Sequence, residues 1–307
     1  MAGSLERGAG AAEPVPAVES PFRRFAADYS ANGIALAALL TVVVLALLAI
    51  LAPWIAPQNP YDLTQISIFD NMLSPSERSL EGKLFLLGTD DQGRDMLSAM
   101  IYGLKLSLFV GAASTAIALA VGVSLGVVAA YFGGLIDSVI MRLVDLQLSF
   151  PAILIALILL ALLGKGVDKV ILALTLVQWA YYARTVRGNA LVERRREYIE
   201  AAHCLALPRR RIIFRHLLPN CMAPLIVVAT VQVAHAISLE ATLSFLGVGV
   251  PITEPSLGLL IANGYKYILS GKYWVSFFPG LLLLATILSI NLVGDHLRDL
   301  LNPRLKR

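Results

Sequence analysis

The chain has 307 residues, 57% of them hydrophobic and only 15% charged, with a mean hydropathy of +0.74. A soluble domain of this size cannot hide so many long apolar runs, so a polytopic membrane protein is the class left standing. The net charge of +4 and pI near 9.1 do not argue for nucleic acid, because the positions of the basic residues follow the membrane rather than forming one patch.

Residues 1 to about 20 are rich in Ala, Gly, Glu and Pro, have little to bury, and are expected to be disordered. Arg23-Arg24 precedes an apolar run longer than a signal-peptide core, and Ala-Pro-Trp-Ile-Ala-Pro at 52–57 is a poor cleavage site. An uncleaved first helix is therefore expected over 33–56, after a tail at 1–32. Stretches of membrane length with little or no charge recur at about 106–131, 139–163, 168–184, 221–246 and 275–296, which predicts an all-α chain with six spans. The third carries Arg142 and Asp145 in its first turns, tolerable near an interface or inside a bundle but not against lipid. The fourth is short. Fourteen residues separate Lys169 from Arg184, a rise of about 21 Å, which the two flanking side chains can extend by snorkelling.

With the amino terminus inside, seventeen of the twenty-five Lys and Arg residues fall on the cytoplasmic side, nine of them between Arg184 and Arg215. That asymmetry satisfies the positive-inside rule and puts both termini, including a tail at 300–307, in the cytoplasm. Residues 57–104 then form an external segment, and 105–299 a five-helix core with a cytoplasmic loop at 185–220. Within the external segment, Gly-Thr-Asp-Asp-Gln-Gly-Arg-Asp at 88–95 clusters three aspartates. The spacing is not that of a calcium loop, and Arg94 offsets the charge, so no metal site is expected. Thr89 and Gln92 have capping-box spacing, and Asp95 is placed to N-cap a helix beginning near Met96.

The 185–220 loop is a charged island. A helix is compatible with Glu193 to Leu207, and Pro208 interrupts it. A second short helix can run from Pro208 to about Leu218, before Pro219. Ala201 and Ala202 put little bulk beside Glu200, as a helix docked in a protein groove requires. Arg209, Arg210 and Arg211 lie at the start of the second helix, where the macrodipole disfavours positive charge by some tenths of a kcal/mol each. An anionic partner is expected, either a protein surface or lipid phosphates.

This loop resembles the "EAA loop" of bacterial ABC importer permeases, whose pattern is Glu-Ala-Ala, three residues, Gly, nine residues, Ile-x-Leu-Pro. Glu200, Ala201, Ala202, Leu218 and Pro219 fall in register, Ala206 replaces the glycine and His216 the isoleucine. Alanine in a left-handed turn costs about 1–2 kcal/mol, so the expectation is that the turn differs or that the helix runs through it. The 88–95 octapeptide, Glu-Ala-Thr-Leu-Ser-Phe-Leu-Gly-Val-Gly-Val-Pro at 240–251, Pro255-Ser256 with Gly258, and Asn291-Leu292-Val293-Gly294-Asp295 with Leu297-Arg298-Asp299 are similar to the dipeptide, oligopeptide and nickel branch of those permeases, in its C-type subunit. Leu257 stands where relatives usually carry tryptophan.

The resemblance implies the ABC type-1 importer fold in the cell inner membrane and a coupling role for residues Glu200 to Pro219. It implies as partners a second homologous permease, two ATP-binding subunits that use ATP and Mg, an extracytoplasmic substrate-binding protein and membrane lipid. Short peptides are the implied cargo, with nickel or another small solute as the alternative. The chain itself is expected to bind no cofactor.

The residues themselves offer candidates for a polar path: Asp145, Gln147 and Ser149 on the third span, and Gln232, His235, Glu240 and Ser244 on the fifth. Glu240 is expected at the outer edge of the hydrocarbon, where it either binds a peptide amino group or, the favoured reading, holds Ser244 or nearby backbone. His235 is expected to hydrogen-bond within the bundle rather than to relay protons. Six spans with Glu240 and His235 also fit a proton-coupled transporter, but no internal repeat is evident. Phosphate-loop, zinc-protease and nucleophile-elbow motifs are absent, so no catalytic residue is expected. Cys204 and Cys221 form no CxxC pair, and neither a disulfide nor a metal is expected.

Overall fold

The computed structural model describes residues 21–79 and 82–301. The expectation of disorder for residues 1 to 20 and most of the 300–307 tail lie outside the described residues. Helix α1 (Pro21–Ser30) leads into α2 (Gly33–Ile50), whose N-cap Asn32 accepts hydrogen bonds from the Ile34 and Ala35 amides at 3.1 and 3.2 Å. A short α3 (Ala52–Ile55) follows. The next stretch carries two-residue strands, β1 (Glu77–Arg78) and β2 (Leu84–Phe85), paired antiparallel in the register Glu77 to Phe85. It forms a cap over one end of the bundle.

The long helix α4 spans Met96–Phe132. Its N-cap is Asp95, whose carboxylate accepts from the Ser98 amide at 2.8 Å, as the sequence predicts. It begins about ten residues before the apolar run, at the position the Asp95 cap predicts. Thr89 does not form a capping box with Gln92. Its hydroxyl donates to the Asp70 carbonyl at 2.5 Å and accepts from the Leu73 amide at 2.8 Å, tying the cap together across the chain.

The predicted third span is not one helix. α5 (Gly134–Ser149) and α6 (Ala152–Leu163) meet at 93°. Phe150 is extended at φ −100° and ψ 144° because it precedes Pro151, whose ring excludes the helical conformation at that residue. The fourth, by contrast, is longer than its apolar stretch: α7 (Val167–Glu193) is a continuous 27-residue helix, about 40 Å long. Its cationic end is neutralised by α5. Arg187 donates to both carboxylate oxygens of Asp137 at 2.5 and 2.6 Å, and Arg184 pairs with Asp145.

α4 and α7 form the central seam. Ser114, Ala118, Gly122, Gly126 and Ala130 recur every fourth residue on α4 and are buried. A Cβ on Gly122 would sit 2.4 Å from the Trp179 carbonyl oxygen, and one on Gly126 2.4 Å from that of Ala183. The absence of side chains therefore sets the helix separation, which is how membrane helices gain packing contacts without a hydrophobic driving force.

The remaining helices are α8 (Glu197–Cys204), the single turn α9 (Arg209–Arg211), α10 (Leu218–Phe245), α11 (Leu257–Tyr265) and α12 (Trp274–Leu301). Leu257, in the tryptophan position of relatives, is fully buried and packs in a cluster with Leu45, Ala49 and Leu104. Among the described residues, four helical stretches are long and apolar enough to cross a membrane: α2, α4, the continuous run Arg209–Phe245, and α12. The bent pair α5–α6 makes up to five.

Candidate functional site

The 194–220 loop lies at the end of the bundle opposite the cap. The predicted helix from Glu193 to Leu207 is shorter at both ends: α7 ends at Glu193, Arg194 to Arg196 turn the chain, and α8 runs from Glu197 to Cys204. Arg194 holds the turn down. Its guanidinium donates to the Ala130 carbonyl at 3.0 Å and lies over the Tyr131 ring. The Tyr198 hydroxyl donates to Glu193 at 2.7 Å, and burial together with that carboxylate pushes the phenol up to about 12.

At the far end of α8 the Leu207 amide donates to the Ala202 carbonyl at 3.2 Å and the Ala206 amide to that of His203 at 2.9 Å. These are the two bonds of a Schellman motif, with Ala206 in the position that needs a positive φ. Ala206 has φ +50°. Neither expectation for this residue holds, because the turn is the one a glycine would make and alanine occupies it under strain. The two extra hydrogen bonds and the packing of Leu207 against the cluster that contains Ala202 offset that strain.

The second helix also departs from prediction. Pro208 is an extended N-cap, not a first helical residue, and its carbonyl accepts from the Arg211 and Ile212 amides. The helix does not stop before Pro219. Residues Ile212–Leu217 adopt π geometry, with the Leu218 amide donating to the Ile213 carbonyl, and the chain runs on into α10. A wider turn directly before a proline relieves the clash between its ring and the carbonyl four residues back, which is what normally breaks a helix there. Leu218 is half-buried and Pro219 exposed at the start of α10.

The loop has an inner and an outer side. Ile199 and Ala202 of α8, with Ile212 and Leu217 of the π turn, join one buried cluster with Val127 and Tyr131 of α4, Val186 and Ala190 of α7, and Leu225 of α10. Ala202 thus serves this chain's own core and is not part of an outward groove-binding face. Glu200 and Ala201 are exposed on the other side of α8. Arg209, Arg210 and Arg211 are exposed too, and none takes part in an ion pair among the described residues.

The polar candidates of the spans do not converge on one point. Glu240 is fully buried, accepting from Ser107 of α4 at 2.8 Å and from Ser244 at 2.7 Å, so both carboxylate oxygens are engaged and α4 is tied to α10. The Gln232 backbone carbonyl accepts from the Gln178 side-chain Nε2 at 3.2 Å, while among the described residues the Gln232 side-chain nitrogen is buried without a partner, as is that of Gln147. Asp145 is exposed in its ion pair with Arg184, and the Ser149 hydroxyl donates to the Asp145 carbonyl. His235 is exposed on α10 in the single chain, and its ring makes no hydrogen bond among the described residues. Gln178, Ser107 and Arg187 were not singled out from the sequence. For Arg187 the signal was available, since Asp137 is the acid nearest the start of the bent pair and a charge at span depth needs a partner.

Residues 122–307 match the family described as binding-protein-dependent transport system inner membrane component. Residues 20–75 match the N-terminal TM domain of oligopeptide transport permease C. The chain belongs to this family of transport permeases. The dipeptide transport system permease protein DppC of Escherichia coli (strain K12) is 41% identical over 295 residues, covering 96% of each chain. The di/tripeptide transport system permease protein DppC of Pseudomonas aeruginosa (strain UCBPP-PA14) is 38% identical over 297 residues, again 96% of each. A solved structure of the MetNI methionine ABC transporter in inward-facing conformations overlays 67% of this chain and 98% of that one, with a TM-score of 0.55 at 21% identity. That likeness shows a shared fold. Family and apolar helices together make this a multi-pass inner-membrane protein.

Proposed function

We propose that the chain is the translocating subunit of an ATP-driven importer of short peptides. The observation that carries the reading is end-to-end similarity to permeases named for dipeptides and tripeptides. In this reading two ATP-binding subunits hold and use ATP and Mg, a second homologous permease completes the path, and an extracytoplasmic binding protein delivers the peptide. The chain itself takes no part in the phosphate chemistry and holds no cofactor. It crosses the membrane six times, through α2, α4, the bent pair, α7, α10 and α12, with both termini and the 194–220 loop in the cytoplasm and the cap outside.

The loop's two sides support a coupling role. The outer side, with Glu200, Ala201 and Arg209 to Arg211, is the surface left for a motor subunit. The inner side shares one cluster with α4, α7 and α10, so force applied to α8 enters three helices together and can shift them as rigid bodies. Glu200→Arg reverses the charge on the outer side and leaves the inner cluster untouched. The variant is expected to reach the membrane with an unchanged melting temperature in detergent, to lose co-purification of the ATPase, and to lose peptide uptake. Full uptake with undiminished ATPase association overturns the assignment.

A further inference from the structure

At the cap end of the bundle a cavity of about 230 Å³ opens beside α4. Four separate stretches of chain build it: Tyr61 from the cap, Tyr102, Lys105 and Phe109 from α4, Val167 from the first turn of α7, and Glu254 from the loop before α11. The rings of Tyr61 and Tyr102 meet edge to face at 5.4 Å, and the Lys105 ammonium lies 5.9 Å from the centre of the Tyr102 ring. The Tyr61 phenol and the Glu254 carboxylate line the same pocket. Burial and that neighbouring carboxylate push the phenol upward, so it stays protonated beside the acid.

Two features mark the pocket as a binding site. Lys105 and Glu254 carry opposite charges into one small space, yet they form no ion pair with each other. The pocket is also amphiphilic. Lys105 is the last charged residue before the uncharged run 106–131, so the charges and phenol sit on the cap side while Leu106, Phe109 and Val167 form an apolar floor on the membrane side. Phe109 is 59% exposed and continues that floor onto the outer surface of α4. Aromatic and basic side chains at this depth are suited to the headgroup region of a bilayer.

We propose that this pocket binds a zwitterion bearing a primary ammonium and an anionic oxygen group, the ammonium on Glu254 beside the two tyrosine rings and the anion on Lys105. A primary ammonium can donate hydrogen bonds to the carboxylate and sit against aromatic faces at once. The space is below the usual range for a drug-sized ligand and suits a headgroup or one end of a peptide. Two sources carry this chemistry: phosphatidylethanolamine, whose acyl chains would follow the apolar floor, and a short peptide. The lipid source is independent of the function proposed above, and the peptide source rests on it.

The full-length chain, purified in detergent, is titrated with phosphatidylethanolamine, with phosphatidylcholine, whose methylated amine cannot donate hydrogen bonds, and in a separate arm with a dipeptide. Bound lipid is counted by native mass spectrometry and dipeptide by equilibrium dialysis. Phosphatidylethanolamine is expected to bind about tenfold tighter than phosphatidylcholine, the scale of one charge-assisted hydrogen bond. Glu254→Gln should remove that preference, and Lys105→Gln, at an exposed position, should weaken binding of both lipids. Dipeptide binding lost in both variants, with no lipid preference in the wild type, assigns the same site to substrate. If neither ligand responds to either variant while melting temperatures stay unchanged, the proposal is wrong. If Glu254→Gln fails to fold, Lys105→Gln alone decides.

Discussion

The two ends of this molecule are built on opposite terms. In the cap, residues 88–95 are held by bonds from every side. Asp90 pairs with Arg94 at 2.6 Å, both fully buried, and also accepts from the Gln92 and Arg94 amides. The Asp95 amide donates to Gln58 at 2.6 Å, and the Trp274 indole donates to the Thr89 carbonyl across 185 residues of sequence. In the 194–220 loop Glu200 and Arg209 to Arg211 face outward with no ion pair among the described residues, one alanine sits in a left-handed turn, and a π turn replaces a clean helix start. The cap turns most of its polar groups on itself, with only Asp91 Oδ1 and Arg94 Nη2 buried without a partner among its described residues. Left-handed non-glycine residues occur at both ends, Met72 and Ser76 in the cap and Ala206 in the loop, so what sets the loop apart is the charge it keeps on its surface, the arrangement expected where an anionic partner binds.

The sharpest way to break this contrast is to open the cap from within. Asp90→Ala leaves the Arg94 guanidinium buried without its counter-charge, and removing one member of a buried pair costs about 3–5 kcal/mol. The expected result is a large drop in detergent melting temperature and reduced membrane levels. A drop no greater than that of an exposed loop variant such as Glu200→Arg would mean that the cap is not the more tightly determined end.

The same contrast governs how much could be read from the residues. The order of the apolar stretches was legible because lipid forces long uncharged runs, whereas α4 starts about ten residues before its run and α7 continues nine past its own; Asp95 was legible as a cap because its chemistry is local. The break at Phe150-Pro151 carried its signal in the proline, but the apolar pattern on either side masked it. Gly88 and Gly93 show why their octapeptide has the form it does. Both have positive φ, and a Cβ on Gly93 would lie 2.2 Å from the Ser67 carbonyl oxygen, a contact that no local reading reveals. In the loop, the sequence distinguished a charged surface from the spans. It did not separate Ala202, which faces inward, from Ala201, which faces outward, because that assignment depends on where the turn at Arg194–Arg196 aims α8. The route through Pro219 was hidden for a related reason: a π turn is chosen by tertiary packing of Ile212 and Leu217, not by local propensity.

A smaller effect tests the loop's surface charge. Arg209, Arg210 and Arg211 begin a helix whose macrodipole disfavours them, and no acid of this chain compensates them among the described residues. If a motor subunit supplies the anionic surface, raising salt from low to physiological strength should weaken its association more in the wild type than in a triple Gln variant. Pull-down yield across a salt series measures this. Equal salt sensitivity in both proteins points to lipid phosphates as the partner.

The smallest effect is expected at Ala206, and it separates strain from function. Its φ of +50° is the conformation a glycine adopts without steric cost, while the Schellman hydrogen bonds to Ala202 and His203 use only backbone atoms and survive the exchange. Ala206→Gly removes a left-handed penalty of about 1–2 kcal/mol, but glycine also gains freedom in the unfolded chain worth roughly 0.5–1 kcal/mol. The net gain is therefore about 0–1.5 kcal/mol, visible as a small rise in melting temperature or as slower amide exchange confined to residues 197–207. Exchange is the better measurement, since a global melt dilutes a local gain across the bundle. If protection in this segment falls instead, the alanine methyl is making a packing contact that outweighs the strain, and the loop is less strained than its backbone angles indicate.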